Sequence, residues 1–300
     1  MRLVEQPTPA RGRHGLWRAA SEFDAARAKQ LAFGNLELRG ASPDEVAARD
    51  AYLQLLGVGP EQRVLEIGCG SGVVLRDIAH RVGSGGHAVG IDPSAELLVI
   101  ARGLAARDGL QDRMEFRQAD ARALPFDSGQ FDAVLAVTTL IHIPDGESVV
   151  PEMVRVTRPG GAVGVFDRDH ESLILSHPDR ALTRRIIAAT ADEVSADSSL
   201  PRRLPGLFER AGLQEVVVRG FTSIERSSDG FYGQNFLRFA GVARDVGALS
   251  EEEHRSWTAG FEALSAGGMF VAGITHLFVM GRKPHSVLGA VPADRGTRGP

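Results

Sequence analysis

The sequence contains a short apolar run, VLEI at residues 64–67, that stops at a glycine-rich segment, GCGSG at 68–72. A helical pattern follows at 73–82, where apolar residues recur every three to four positions. A buried strand, a glycine turn and a helix in this order are typical of the first unit of a parallel sheet. The glycines allow a sharp turn and let the backbone approach a ligand without a Cβ in the way.

Outward from this unit, apolar runs continue to alternate with helical patterns. The predicted strands are 63–67, 88–91, 114–117, 131–137, 161–166, 215–218 and 270–280. This alternation predicts the α/β class, with helices on both faces of a doubly wound, seven-stranded and mostly parallel sheet. Strands buried on both faces explain why the runs are apolar throughout.

The remaining segments suggest additions to this core. Ser42-Pro43-Asp44-Glu45 is typical of a helix start, and Val46 and Leu53 are spaced to form the apolar face of that helix. We predict five parts: a flexible arm at 1–15, a helical lid at 16–60, the main domain at 61–283, cap insertions within it near 171–200 and 229–266, and a flexible tail at 284–300.

Composition excludes several classes of protein. The formal net charge of −4 and the pI of about 6.2 argue against a nucleic-acid partner. Cys69 is the single cysteine, so an intramolecular disulfide and a cysteine-based zinc site are excluded, and we expect no metal. No run of 18 apolar residues and no signal-peptide pattern occurs, so we expect a cytoplasmic protein without a membrane span.

A carboxylate follows the glycine segment at an informative distance. Asp92 ends the second predicted strand, 20 residues beyond Gly72. A carboxylate at this place can accept hydrogen bonds from two ribose hydroxyls, which predicts a nucleoside-containing ligand. The alternative is a helix N-cap, because Pro93 and Ser94 come next.

Two details indicate which nucleoside binds. The glycines are spaced as Gly68-x-Gly70-x-Gly72, which departs from the dinucleotide pattern G-x-G-x-x-G. Glu66, two residues before the first glycine, would repel a pyrophosphate and would suit an ammonium group. The pattern therefore favours S-adenosylmethionine (SAM) over a nicotinamide dinucleotide.

Five segments in order resemble the motifs of class I SAM-dependent methyltransferases, most closely the ubiquinone/menaquinone-biosynthesis type. They are 64–72, Gly90-Ile91-Asp92-Pro93-Ser94, Gln118-Ala119-Asp120-Ala121, 131–134 with Ile141-His142-Ile143-Pro144-Asp145, and Arg158-Pro159-Gly160-Gly161. The resemblance covers about residues 60–170. It implies a Rossmann-like core with an antiparallel last strand.

The resemblance also implies roles for the matched residues. The methionine end of SAM would contact Glu66, Gly68, Cys69, Gly70 and Gly72. Asp92 with Pro93 would bind the ribose, and Asp120 with Ala121 the adenine. Val137 and Thr138 would line the floor near the sulfonium.

Further candidate residues lie where the methyl acceptor would bind. His142 follows the fourth strand and could act as a general base, or it could make only a structural hydrogen bond. Asp167 and His170 end the fifth strand and are candidates to bind the substrate. Tyr232 is a further candidate, but its spacing with neighbouring phenylalanines also predicts a packed cap core.

The expected activity is methyl transfer from SAM to a carbon or oxygen, less readily a nitrogen, of a small and largely apolar molecule. Such an acceptor would belong to bacterial specialised or quinone-like biosynthesis. The alternative is a SAM-binding protein that catalyses a non-methylating cyclisation or rearrangement. The sequence leaves open whether the chain forms a homodimer.

Overall fold

A computed structural model of the chain describes residues 15–17 and 19–285. The helices are α1 (Ala25–Leu31), α2 (Glu37–Gly40), α3 (Pro43–Leu56), α4 (Val73–Val82), α5 (Ala95–Arg107), α6 (Val149–Val156), α7 (Arg180–Val194), α8 (Leu200–Arg210), α9 (Phe231–Asp245) and α10 (Glu251–Ala266). The strands are β1 (Arg63–Ile67), β2 (His87–Asp92), β3 (Met114–Gln118), β4 (Phe131–Val137), β5 (Thr157–Arg168), β6 (Ile174–Leu175), β7 (Gln214–Glu225) and β8 (Ala272–Arg282). Most of the predicted arm at 1–15 and of the predicted tail at 284–300 lies outside the described residues.

The strands form one sheet in the order β3-β2-β1-β4-β5-β8-β6. The strand β7 also belongs to this sheet and pairs with β8 along nearly its whole length. β8 runs antiparallel to its neighbours, whereas β1 to β5 are parallel. The described sheet has eight strands, so the prediction of seven is wrong by one. The additional strand, β6, has two residues, which is too short for an alternating pattern to be visible in the sequence.

The edge strand β7 is also longer than predicted, since it extends from Gln214 to Glu225 instead of 215–218. Most of its residues are partly or fully exposed because β7 lies at the sheet edge. Polar residues therefore occupy much of the strand, and an apolar run marks only its beginning.

The centre of the sheet provides the place for a ligand. β1 pairs with β2 on one side and with β4 on the other, so the strand order reverses at β1. Loops that leave β1 and β4 diverge at such a switch point, and a crevice opens beyond the carboxyl ends of the strands. The glycine-rich segment lies at this crevice.

Alternate residues of β1 enter the two halves of the core. Val64 packs into the cluster that includes α3 and α4, whereas Leu65 and Ile67 pack into the cluster that includes α6 and α8. All three side chains are buried. β1 is thus covered on both faces, as its continuous apolar run predicts.

A separate apolar cluster joins buried side chains of α7, α9, α10 and β8. Trp257 is fully buried in it, stacks on His177 at a centroid distance of 4.9 Å, and donates a hydrogen bond to Thr183 Oγ1 at 3.1 Å. The aromatic residues of α9 that the sequence suggests as cap core belong to this cluster: Phe231, Tyr232, Phe236 and Phe239. No helix in the described part of the chain is both long and apolar enough to cross a membrane.

Helix α3 begins as predicted, with Ser42 as N-cap and Pro43 in the first turn. The predicted apolar face is right at Leu53, which is fully buried, and wrong at Val46. Val46 is 44% exposed, whereas Glu45, Arg49 and Tyr52 are buried. The helix therefore turns a polar stripe inward, which an apolar pattern cannot predict.

We predict that Trp257→Ala destabilises the protein by about 3–5 kcal/mol, because truncation of a buried aromatic residue leaves a cavity. Unfolding in urea, followed by far-ultraviolet circular dichroism, measures this change. Met269→Ala is the matched control, since Met269 is 64% exposed and its truncation should cost less than about 0.5 kcal/mol. Equal urea midpoints for the two variants would show that the apolar cluster of α7, α9 and α10 contributes little to stability.

Candidate functional site

Two glycines shape the loop that follows β1. Gly68 has a φ of 70° and Gly70 a φ of 53°, in the left-handed region that favours glycine. A Cβ on Gly68 would lie 2.4 Å from Cγ2 of Thr139, and a Cβ on Gly70 would lie 2.6 Å from Cδ1 of Leu36. The loop backbone therefore approaches its neighbours more closely than a residue with a side chain would allow.

Asp92 joins this loop to the loop that follows β2. Its Oδ2 accepts a hydrogen bond from Gly70 N at 3.0 Å, and its Oδ1 accepts one from Ser94 N at 2.9 Å. Burial raises the pKa of Asp92 to about 6, although both hydrogen bonds act to lower it. The N-cap of α5 is Ser94, so the helix-cap interpretation of Asp92 is wrong. The carboxylate has further lone pairs for ribose hydroxyls.

Glu66 is a buried carboxyl group, and one of its two oxygens lacks a hydrogen-bond partner. Its Oε2 accepts no hydrogen bond from any described residue. Burial raises the pKa of Glu66 well above its usual range, and the charge of Asp92 acts in the same direction. An ammonium group beside Glu66 would stabilise the ionised carboxylate, whereas a pyrophosphate would be repelled.

A cavity of about 620 Å³ lies over these residues, within the range of about 300–1,000 Å³ that is typical of small-molecule sites. It contacts the ends of β1, β2 and β4 and the N-terminal helices. The predicted cofactor-binding residues on its wall are Glu66, Gly68, Cys69, Gly70, Asp92, Pro93, Asp120, Ala121, Val137 and Thr138. The structure thus brings together ten residues that the sequence spreads over the ends of four strands, β1 to β4.

Gly72, by contrast, lies outside the cavity wall. It is the N-cap of α4, and a Cβ on it would approach Phe116 at 3.5 Å and Ala101 at 3.6 Å. Its visible role is close packing between helix and sheet. Contact between Gly72 and a cofactor stays a prediction.

Asp120 lies on the wall beyond β3 and is half exposed. Its carboxylate pairs with the Arg122 guanidinium at 2.7 Å, and the hydrogen bonds from Arg122 lower the pKa of Asp120. It also accepts a hydrogen bond from Arg122 N, so it stabilises a local turn. This position is compatible with a contact to the edge of a base.

Val137 and Thr138 form the end of β4 beneath the cavity. Thr138 has a φ of 47°, which is unusual for a β-branched residue. Its N–H donates to Phe166 O at 2.6 Å, and this bond to β5 holds the backbone in place. Strained backbone of this kind is concentrated at functional sites.

His142 lies in the short 3-10 turn Leu140–His142 after β4 and on the cavity wall. Its Nε2 is buried and has no hydrogen-bond partner among the described residues. Burial lowers the pKa of His142 well below 6.5, and the charge of Arg168 lowers it further. The imidazole is therefore neutral near pH 7, and a ring nitrogen is available for a substrate hydroxyl.

Three predicted substrate residues lie outside the cavity wall. Asp167 is buried and accepts a hydrogen bond from Ile141 N at 3.3 Å, while burial raises its pKa to about 7. His170 is buried against Phe239. Tyr232 donates its hydroxyl proton to Glu45 Oε1 at 2.7 Å. Substrate binding by these three residues stays a prediction.

The N-terminal segment adds wall residues that sequence reasoning did not identify. They are Trp17, Arg39, Glu45, Arg49 and Tyr52. The signal that could have found three of them is spacing: Glu45, Arg49 and Tyr52 recur at positions i, i+4 and i+7 of α3, on one helix face. The prediction of the buried face relied on apolar residues alone, so it did not include these three.

These observations agree with a nucleoside ligand that carries an amino group. The unpartnered Oε2 of Glu66 fits an ammonium, Asp92 fits a ribose, and the backbone at Gly68 leaves room for atoms that a Cβ would displace. The residues present therefore fit SAM.

Part of the chain is similar to proteins of a known family. Residues 64–161, about a third of the chain, match the family described as "Methyltransferase domain". A 37.1 kDa uncharacterized protein of transposon Tn4556 from Streptomyces fradiae is 27% identical over 80% of this chain and 70% of its own.

Two relatives with names match the core only. Methyltransferase GfsG of Streptomyces halstedii is 38% identical over 37% of this chain and 40% of its own. Sterol 24-C-methyltransferase ERG6B of Gibberella zeae is 36% identical over 43% of this chain and 34% of its own. The chain thus spans well under half the length of these two relatives.

Solved structures share the fold at low identity. The [4+2]-cyclase SpnF aligns with a TM-score of 0.51 at 19% identity over 80% of both chains. Phosphoethanolamine N-methyltransferase 2 of Haemonchus contortus, solved with SAM, aligns with a TM-score of 0.56 at 19% identity over 91% of this chain and 60% of its own. The family match identifies residues 64–161 as a methyltransferase domain, and the solved structures show that the chain shares their fold.

Proposed function

We propose that the whole chain is a methyltransferase that transfers the methyl group of SAM to a small, largely apolar molecule. The observation that carries this proposal is the cavity that extends from the unpartnered Oε2 of Glu66 past the end of β4 to His142. Both a cofactor and an acceptor are needed for the reaction, and this cavity contacts ten of the predicted cofactor residues and, of the predicted substrate residues, His142.

Bound SAM would supply an activated methyl group on a sulfonium, so the protein contributes mainly alignment. Glu66 would bind the ammonium, Asp92 the ribose, and Asp120 with Ala121 the adenine. These contacts would place the sulfonium over Val137 and Thr138. Fixing both reactants in line can remove about 7–11 kcal/mol of the barrier.

The acceptor would lie between His142 and the N-terminal helices. A neutral His142 could accept the proton of an acceptor hydroxyl through a ring nitrogen, a role that contributes about 10²- to 10⁴-fold in rate. The side chains of Trp17 and Tyr52 on the wall would exclude water from the reacting atoms.

One relative, ERG6B, is named a sterol 24-C-methyltransferase, which supports transfer to carbon of an apolar molecule. Transfer to oxygen stays a prediction, and so does a place in bacterial specialised biosynthesis. A quinone-like acceptor stays a prediction that rests on the resemblance of the sequence motifs, including the one at 141–145. A non-methylating cyclisation is the alternative, and turnover without formation of S-adenosylhomocysteine would favour it.

We predict that Asp92→Ala weakens the binding of S-adenosylhomocysteine at least tenfold, because a hydrogen bond to a charged group contributes about 1.5–3 kcal/mol. Isothermal titration calorimetry measures the affinity, and circular dichroism checks that the variant is folded. Asp112→Ala is the matched control, since Asp112 is exposed and lies away from the cavity wall. Unchanged affinity in folded Asp92→Ala would remove the ribose assignment and weaken the proposed function.

We predict that binding of S-adenosylhomocysteine releases a proton from Glu66. Burial raises the pKa of this carboxyl in the free protein, and the ligand ammonium favours the ionised form, so binding lowers the pKa. Affinity should therefore rise with pH as Glu66 loses its proton.

Titration near pH 7 in two buffers with different ionisation enthalpies tests this proton release. The observed heat should depend on the buffer for the native sequence and should depend on it less for Glu66→Gln. The same buffer dependence in both proteins would show that the proton comes from another group.

A further inference from the structure

Arg49 is a buried arginine of α3 that lines the cavity and is 8% exposed. Its Nε atom pairs with the carboxylate of Asp77, and its Nη1 atom donates a hydrogen bond to Gly40 O at 3.2 Å. Its Nη2 atom donates no hydrogen bond to a described residue. Two contacts therefore fix the orientation of the guanidinium group, and N–H donors remain for a ligand.

The neighbours of Arg49 place it beside the glycine-rich loop. Asp77 lies in α4, the helix that begins directly after Gly72. Gly40 packs against the first turn of the same helix, because a Cβ on Gly40 would lie 2.4 Å from Cγ1 of Val73. Val73 also lines the cavity, so the positive end of the α4 dipole favours an anion at this place.

Glu66 supplies the opposite charge on the same wall. Burial raises the pKa of Glu66, and of the neighbouring charges that of Arg49 opposes this rise most strongly. The two groups are therefore close enough to interact. They do not pair with each other, however, since Arg49 pairs with Asp77 and Oε2 of Glu66 accepts no hydrogen bond from a described residue. This arrangement suits a ligand group that carries both charges.

Two other arginines near this part of the cavity have close partners. Arg76 donates hydrogen bonds to Ser71 O at 3.0 Å and to Glu37 Oε2 at 2.8 Å. Arg122 pairs with Asp120 at 2.7 Å, beside the predicted adenine site. Both guanidinium groups are thus held by the protein itself.

Arg39 also lines the cavity, but its contacts lie towards α9. Its Cζ atom lies 6.0 Å from the centre of the Phe231 ring, and its Nε atom lies 3.9 Å from Glu45 Oε2. Arg49 is therefore the arginine of the wall that is best placed to act together with Glu66.

We propose that Arg49 binds the carboxylate of the amino-acid end of SAM while Glu66 binds its ammonium group. A guanidinium matches the two oxygens of a carboxylate, and such charge-assisted hydrogen bonds are strong. The inference rests on the proposed function and deepens it, because it assigns cofactor binding to a residue outside the methyltransferase domain at 64–161. Each charge of the ligand would then meet a buried group of opposite charge.

Isothermal titration calorimetry with three probes tests this inference. S-adenosylhomocysteine carries both charged groups, decarboxylated S-adenosylhomocysteine keeps only the ammonium, and 5′-methylthioadenosine carries neither. We expect the native sequence to bind S-adenosylhomocysteine about tenfold or more tightly than the decarboxylated probe. Arg49→Gln should remove most of this preference and leave the affinity for 5′-methylthioadenosine unchanged.

Arg81→Gln is the matched control. Arg81 of α4 pairs with Asp50 of α3, so it joins the same two helices as Arg49, but it lies outside the cavity wall. This variant should keep the native preference. Arg49→Lys is a second test variant, and it should keep only part of the preference, because an ammonium lacks the paired donors of a guanidinium. Each preference is a ratio of two affinities in one folded protein, so altered stability alone does not change it.

Three results would overturn the inference. The first is equal affinity of the native sequence for S-adenosylhomocysteine and its decarboxylated form. The second is an undiminished preference in Arg49→Gln, or in Arg49→Lys if Arg49→Gln does not fold, which would assign the carboxylate to another group. The third is an equal loss of preference in Arg81→Gln, which would assign the effect to the packing of α3 on α4. Failure of the native protein to bind S-adenosylhomocysteine would instead contradict the proposed function.

Discussion

The carboxylate of Asp92 is the contact on which the cofactor half of the site depends. It accepts one hydrogen bond from Gly70 N in the loop after β1 and one from Ser94 N in the loop after β2, so one side chain connects the two loops. Both loops begin at adjacent parallel strands, so the sheet sets their separation and Asp92 sets their shape. The cavity opens above this junction. A carboxylate at the same place serves the architecture and remains able to accept hydroxyl groups of a ligand.

Local features of the sequence were sufficient to predict the centre of the fold and to select residues that line the cavity at the ends of β1 to β4. Gly68 and Asp92 can be recognised from the local sequence alone. The turn after β1 needs a glycine at a positive φ, and the end of β2 carries the carboxylate that accepts N–H groups from both loops. The short strand β6 and the outer part of β7 could not be predicted in the same way, since they form only by pairing with β8. Helix α3 shows a further limit. Its inward face carries Glu45 and Arg49, and only the tertiary structure shows that charged residues face a cavity there.

Several buried charged side chains line the cavity. Glu66 and Asp92 lie at the ends of β1 and β2, whereas Arg39, Glu45 and Arg49 lie on the wall that the N-terminal helices form. Each group costs free energy to bury, and a hydrophobic replacement is often neutral or stabilising. The apolar clusters on both faces of the sheet and in the cap offset this cost. A site that retains charge at the expense of stability is expected where ligands of complementary charge must be bound.

The Glu45 carboxylate has a consequence for how such a protein can diverge. Its partners come from three different elements: Ser223 in β7 and Tyr232 in α9 donate hydrogen bonds to Oε1, and Arg39 in α2 lies 3.9 Å from Oε2. Replacement of one partner leaves a buried acid with fewer stabilising contacts, so the effect depends on which partners remain. Substitutions here should accordingly occur in concert among relatives, as expected for residues whose energetic effects are not additive.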